Sequence, residues 1–193
     1  MNFLGLDLSF TATGFYLIKE DGNNVSFEIN TKPHEYPDDL SRSEHIAEYI
    51  ISQIKDVPLE FIAIEDYFAG QQASSVLKLA ILGTVIRCVL LKHGYPYIAF
   101  SPTQIKKFET GSGIAPKDTM LKSVFKKHGF DTMSNNVADA CAIAYMGKGY
   151  YEWKQGKRDF LKYEAEVLKN AIKDRIIVYP YTIDLSKIHT KGV

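Results

Sequence analysis

Three acidic residues carry the strongest chemical signal in this chain of 193 residues. Asp7 ends the apolar run Phe3-Leu4-Gly5-Leu6, Glu65 ends Phe61-Ile62-Ala63-Ile64, and Asp139 interrupts the alanine-rich stretch Val137–Ala144. A buried, ionised carboxylate is costly unless it meets a cation or a donor. Taken singly, Asp7 reads first as a turn or cap aspartate ahead of Ser9. Taken together, two neighbouring strands ending in acid place both carboxylates at one sheet edge, and small alanines let the helix bearing Asp139 pack close. Asn136 and Asn135 stand three and four residues before Asp139 and so share its helix face. Oxygen donors drawn from separate elements, with no cysteine or histidine among them, suit a hard cation such as Mg²⁺. Two such ions roughly 3.5–4 Å apart would activate a water and stabilise the leaving oxygen of a phosphodiester. The expected chemistry is hydrolytic strand scission, with two Mg²⁺ per site and Mn²⁺ as a substitute.

The elements that must position these acids can be read from periodicity. Residues 3–8, 14–18 and 25–29 read as three successive strands, the last alternating as Val25-Ser26-Phe27-Glu28-Ile29. Asp38 and Asp39 can cap a helix carrying Ile46, Ile50 and Ile54, and a short strand follows at 61–64. A long helix over 74–92, a strand over 97–100, a short helix after Pro102, a Gly111-Ser112-Gly113 loop and a helix opening near Pro116 complete an alternating α/β pattern. A last core helix is expected over about 135–145. Beyond Gly149 the composition shifts to a charged amphipathic helix and a strand-like Ile176–Tyr179. The expected division is a nuclease domain over 1–149 and an extension over 150–193. That extension could lengthen a dimer contact, cover a sheet edge, or meet DNA through Lys154, Lys157 and Arg158.

Composition bounds the partners. The hydrophobic fraction of 46% and charged fraction of 24% suit one α/β domain with a full core. No signal peptide or membrane span is read, and the expected location is the cytoplasm, the host's if the source is a bacteriophage. Cys88 and Cys141 lie in apolar helical patterns and read as small buried hydrophobes, with no disulfide or zinc site expected. His93 and His128 follow helices and read as dipole partners. Net charge is zero, with 23 basic and 23 acidic residues, but the charges are segregated. Acids dominate between Glu20 and Asp66, whereas Lys106, Lys107, Lys117, Lys122, Lys126 and Lys127 face only Glu109 and Asp118. Such a run is usually a solvated helix face; it is also what a phosphate backbone would meet.

The ordered segments Leu4-Gly5-Leu6-Asp7-Leu8-Ser9 with Thr13-Gly14, Ala63-Ile64-Glu65-Asp66-Tyr67-Phe68 followed by Ala73–Leu79, and Ala138-Asp139-Ala140 resemble RuvC-type Holliday-junction resolvases of the RNase H-like superfamily. Gln104-Ile105-Lys106 and Gly111–Lys117 resemble that family's basic region, and the order holds over residues 1–147. The resemblance implies an α/β, RNase H-like fold with a five-stranded mixed sheet of three antiparallel strands then α/β alternation, flanked by helices; residues 150–193 lie outside the match and are expected to add a C-terminal helical extension. It implies a two-fold dimer that resolves four-way DNA junctions by paired symmetric cuts. By position, Asp7, Glu65 and Asp139 match the family's metal ligands, Lys106 and Lys117 its lysines near phosphate, and Phe68 an aromatic wedge that unstacks bases. Without the motif, Phe68 would be an ordinary core residue. Where the family places a fourth acid, this chain has Asn136, an oxygen donor without charge, so cation binding is expected to be weaker unless Asn135 or another oxygen compensates. Two other readings compete: an RNase H-like nuclease acting on RNA or replication branches, and a junction-binding protein that does not cut. The Gly5–Gly14 segment is also similar to the first phosphate loop of actin-like kinases, but the chain is too short for their second lobe.

Overall fold

A computed structural model describes residues 1–66, 73–157, 159–174 and 178. Phe68, Arg158 and most of the strand-like 176–179 segment lie outside the described residues. The strands are β1 (Asn2–Asp7), β2 (Ala12–Ile18), β3 (Val25–Asn30), β4 (Leu59–Glu65) and β5 (Tyr97–Phe100). The helices are α1 (Asp39–Ile54), α2 (Ala73–Lys92), α3 (Pro102–Thr110), α4 (Lys117–His128), α5 (Asn135–Lys154) and α6 (Lys162–Asp174). One sheet has the order β3-β2-β1-β4-β5. Its first three strands are antiparallel neighbours, and β4 and β5 run parallel to β1. This is the mixed five-stranded sheet expected from the sequence.

Period-two alternation splits each strand between two cores. Leu4, Leu6, Phe15, Leu17, Ile62 and Ile64 pack with Ile46, Ile50 and Ile54 of α1 and Leu82, Ile86 and Leu90 of α2. Phe3, Tyr16, Phe61 and Ala63 face the alanines of α5 instead. The phase carries Asp7, in step with Phe3 and Gly5, and Glu65, in step with Phe61 and Ala63, onto the α5 side of the sheet. In the parallel pairing Gly5 lies opposite Ala63 and Leu6 opposite Ile64, so the two strands reach their terminal acids side by side.

The helix that brings Asp139 comes close because the strands beneath it lack side chains. A Cβ on Gly5 would collide with the backbone of Ala140 and Ala144, and one on Gly14 with the backbone of Asn136. Ala138, Ala140, Ala142 and Ala144 are all buried at this contact. Expected to end near Tyr145, α5 continues to Lys154. Its glycines serve packing here: a Cβ on Gly147 would press Ala63, and one on Gly149 would press Phe108 and Phe160. The amphipathic helix therefore starts only at Lys162, where α6 docks on α3 through Lys107–Glu166 (3.1 Å) and on α4 through Lys127–Glu164 (3.0 Å). Val178 forms an antiparallel bridge with Tyr97 of the edge strand β5.

Of the two cysteines, Cys141 is buried as expected, but Cys88 is exposed. The reason lies in α2, which carries apolar residues around its whole circumference and cannot bury them all against one sheet.

Candidate active site

Asp7 leaves β1 into a loop that is held from both sides. Thr13 donates its hydroxyl to the Ser9 carbonyl (2.7 Å) and accepts from the Ser9 amide (3.2 Å). The buried Arg42 of α1 donates to the carbonyls of Phe10 and Thr31, both at 2.7 Å. Asp7 is thereby fixed where β1 ends. Asp66, directly after Glu65, is engaged by Arg87 of α2 at 2.9 Å, and its amide donates to the Phe100 carbonyl at 2.8 Å. Glu65 is thus the acid of the pair that turns to the α5 side. On α5, Ser134 caps the helix by accepting from the Val137 amide (3.1 Å), which sets the first turn and with it Asp139.

The three acids form one electrostatic unit. Burial pushes Asp7 well above the ordinary carboxylate range; Glu65 and Asp139 push it further, and Lys117 pulls it back. Burial, then Asp139, raises Glu65 to about 7, against the pull of Lys106. Asp139 is also raised, by burial, and is countered by Lys117 and Lys106. Asp7 and Glu65 titrate as a pair, each raised first by burial and then by the neighbouring carboxylates. Among the described residues no group of three or more acid, histidine or cysteine side chains is already arranged to hold a metal ion. Carboxylates crowded in this way must share a proton or a cation. Their all-oxygen donor set, buried beside two lysines, fits a hard divalent ion and would release that proton on binding it.

Of the lysine run, Lys106 and Lys117 act on the acids. Lys107 pairs with Glu166, and Lys127 pairs with Glu164 and donates to the Phe108 carbonyl. His128 is more than a dipole partner: it bonds the fully buried Glu109 at 3.0 Å and stacks on Tyr145.

Asn136 lies at the first turn of α5, as its sequence position demands, but its amide nitrogen is committed. Nδ2 donates to Glu28 Oε1 at 3.1 Å, and the Ser134 hydroxyl donates to the same oxygen. Glu28 was not singled out by the sequence. As the polar position of an alternating strand it resembles any solvent-facing residue, and only the β2–β3 register carries it to α5.

The comparisons with known proteins agree on one family. The family model described as "Crossover junction endodeoxyribonuclease RuvC" matches residues 3–146. The chain belongs to the RuvC family. The RuvC of Baumannia cicadellinicola is 33% identical over 152 residues, covering 73% of this chain and 83% of that protein. The RuvC of Ruegeria pomeroyi is 29% identical over 146 residues, covering 75% and 88%. The fold is likewise that of Thermus thermophilus RuvC, with a TM-score of 0.65 at 21% identity over 81% of this chain and 98% of that one. A second similar structure, at 19% identity and a TM-score of 0.65, is T. thermophilus RuvC in complex with Holliday junction substrate. The resemblance read from the motifs is therefore a family relationship, and RuvC proteins are metal-dependent nucleases.

Proposed function

We propose that this protein is a Mg²⁺-dependent, structure-specific endonuclease that resolves four-way DNA junctions by paired, symmetric phosphodiester hydrolysis. The observation that carries the reading is the convergence of Asp7, Glu65 and Asp139, from three distant segments, into one coupled cluster flanked by Lys106 and Lys117. Asp7, Glu65 and Asp139 would hold the cation, with Asn136 as a neutral oxygen donor. Two Mg²⁺ per site, replaceable by Mn²⁺, would supply Lewis acidity at the scissile phosphate and an activated water. The chain's own residues do the rest. The carboxylates fix where hydrolysis occurs, and the protons that their burial retains would be displaced by a cation held among them. Lys106 and Lys117 oppose the charge of the incoming phosphate and of the leaving oxygen. In the net reaction water's oxygen bonds phosphorus, the P–O bond to the next nucleotide breaks, and the leaving oxygen takes a proton.

Symmetric cutting needs two sites, and α2 supplies a surface for pairing. It spreads apolar residues around its circumference, and its exposed positions include Leu77, at 63%, and Cys88, together with the polar Lys78 and Thr84. A helix of this kind is normally covered all round, and a second copy of the chain is the cover proposed. Residues 1–149 would form the nuclease unit and 150–193 an extension, of which α6 packs on α3 and Val178 bridges the β5 edge. The work is placed in the cytoplasm, where a bacterial or bacteriophage junction would form. Among the described residues no helix is long and apolar enough to cross a membrane.

The test is incubation of purified protein with labelled four-way, three-way and duplex DNA, in Mg²⁺ and then in Ca²⁺. Paired nicks confined to the four-way junction in Mg²⁺ are expected. Binding without product in Mg²⁺ would leave a junction-binding protein, and equal cutting of all three would leave a general branch nuclease.

A further inference from the structure

From Asp7 a row of paired residues runs two strands further across the sheet, to β3. Asp7 of β1 is paired with Gly14 of β2, and Gly14 with Glu28 of β3, so the three residues form one row across the sheet. Residues in such a row share a face. The middle one has no side chain, and the backbone of Asn136 sits where that side chain would be. The first turn of α5 therefore rests over Gly14, with Asp7 on one side and Glu28 on the other. From its side Glu28 accepts two hydrogen bonds on Oε1, from the Ser134 hydroxyl and from Asn136 Nδ2.

This arrangement decides which way the Asn136 amide faces. The nitrogen and oxygen of an amide occupy opposite branches of one planar group, and which is which is settled by hydrogen-bond partners. A carboxylate can only accept, so it selects the nitrogen and leaves the oxygen on the side away from β3. In the strand order β1, with Asp7, lies on the opposite side of Gly14 from β3. A lone asparagine offers a cation a donor oxygen but no charge. Here a full negative charge stands one hydrogen bond behind it, at the N-terminus of a helix, where the helix dipole also favours an anion.

We infer that Glu28 is a positioning residue for the cation site: it turns the Asn136 carbonyl oxygen toward the acids and supplies the negative charge that Asn136 lacks. The donor atom and the charge, which one acid would carry together, are divided in this chain between α5 and β3. The inference rests on the cation-binding reading of Asp7, Glu65 and Asp139. It adds to that reading a residue from a strand that contributes no other group to the site.

The test measures Mg²⁺ and Ca²⁺ binding to DNA-free protein by calorimetry, with the melting temperature of the metal-free form recorded alongside. Partners that orient metal ligands typically matter by 10–100-fold in affinity. Glu28→Ala is therefore expected to weaken cation binding by about 10-fold. Glu28→Gln, which can still accept both hydrogen bonds, should weaken it by less and guards against a folding failure. Asn136→Asp alone puts two carboxylates within hydrogen-bonding distance and should give little or no tightening. Combined with Glu28→Gln it exchanges donor for acceptor, and the double variant should bind at least as tightly as the parent. Unchanged cation affinity in Glu28→Ala, with only the melting temperature lowered, would reduce Glu28 to a helix cap and overturn the inference. Equal tightening by Asn136→Asp with and without Glu28→Gln would overturn it as well. Absence of cation binding by the parent protein would instead overturn the reading of the three acids on which the inference rests.

Discussion

Two groups of buried acids lie in this molecule, and the protein treats them in opposite ways. At the junction of α3, α4 and α6, Glu109 accepts from Ser123 at 2.8 Å and meets His128 at 3.0 Å, one oxygen for each. Glu164 pairs with Lys127 at 3.0 Å and accepts the Leu161 amide at 3.1 Å. Each of these carboxylates is closed off by protein donors. At the ends of β1 and β4 and on α5, Asp7, Glu65 and Asp139 are set against one another, and the site lysines only partly offset the repulsion. A buried acid with its own donors is a fastener; buried acids facing each other are arranged for something positive that comes from outside. The first group holds the helix that carries Lys106 against the one that carries Lys117, so the fasteners also fix the phosphate side of the site.

The contrast is broken most sharply by Asp7→Asn. Cleavage should fall by more than about 100-fold, since even outer partners of metal ligands are worth up to that much, while four-way junction binding is kept and the metal-free protein melts higher at neutral pH because a buried acid that resists ionisation is replaced by a neutral amide. Parallel gel-shift, cleavage and melting measurements check this, and equal loss of binding would show misfolding. At the fastener, Glu109→Ala should behave in the reverse manner. It should cost about 2 kcal/mol of stability, because the buried hydrogen-bond partners Ser123 and His128 lose their carboxylate, with cleavage per folded molecule retained in the cold; urea unfolding reads the loss.

Proton linkage gives a third, smaller effect. The folded protein holds Glu65 near 7 against an ordinary 4.5 and raises Asp7 and Asp139 too. The folded state therefore binds more protons than the unfolded chain between those values, and metal-free stability falls as pH rises from about 4.5 through 7. Saturating Mg²⁺ should flatten that fall by taking the protons' place. Melting curves at a series of pH values with and without Mg²⁺ would show it, and parallel curves would deny the cation its place among the acids. Smallest is Lys106→Ala. Loss of one phosphate contact should lower the slope of log affinity against log salt by about one, in junction-binding titrations across salt. An unchanged slope would make Lys106 an ordinary solvated residue.

Much of the site was legible because its acids sit at places where local pattern is strong. An apolar run that stops at Asp7 or Glu65, or an alanine helix broken by Asp139, is visible in one dimension. The lysines were visible as a segregated run, but the sequence could not sort them. Lys106 and Lys117 face the acids, whereas Lys107 and Lys127 are tied to α6, because helix phase and the docking of a distant helix decide which side of the run each occupies. The length of α5 is hidden in the sequence for a related reason. Gly147 and Gly149 look like a break in a string of residues, yet they are the clearance that Ala63, Phe108 and Phe160 need.

By itself, then, the sequence determined the face on which each strand residue lies, because a period of two is set by the backbone, and it named the acids that those faces bring to one edge. Tertiary structure alone decided the register of β3 against β2, and so the meeting of Glu28 with Asn136 and Ser134. That contact joins residues more than a hundred positions apart. No local pattern specifies such a pair; it arises because glycines at 5 and 14 let a helix settle onto the sheet beside it.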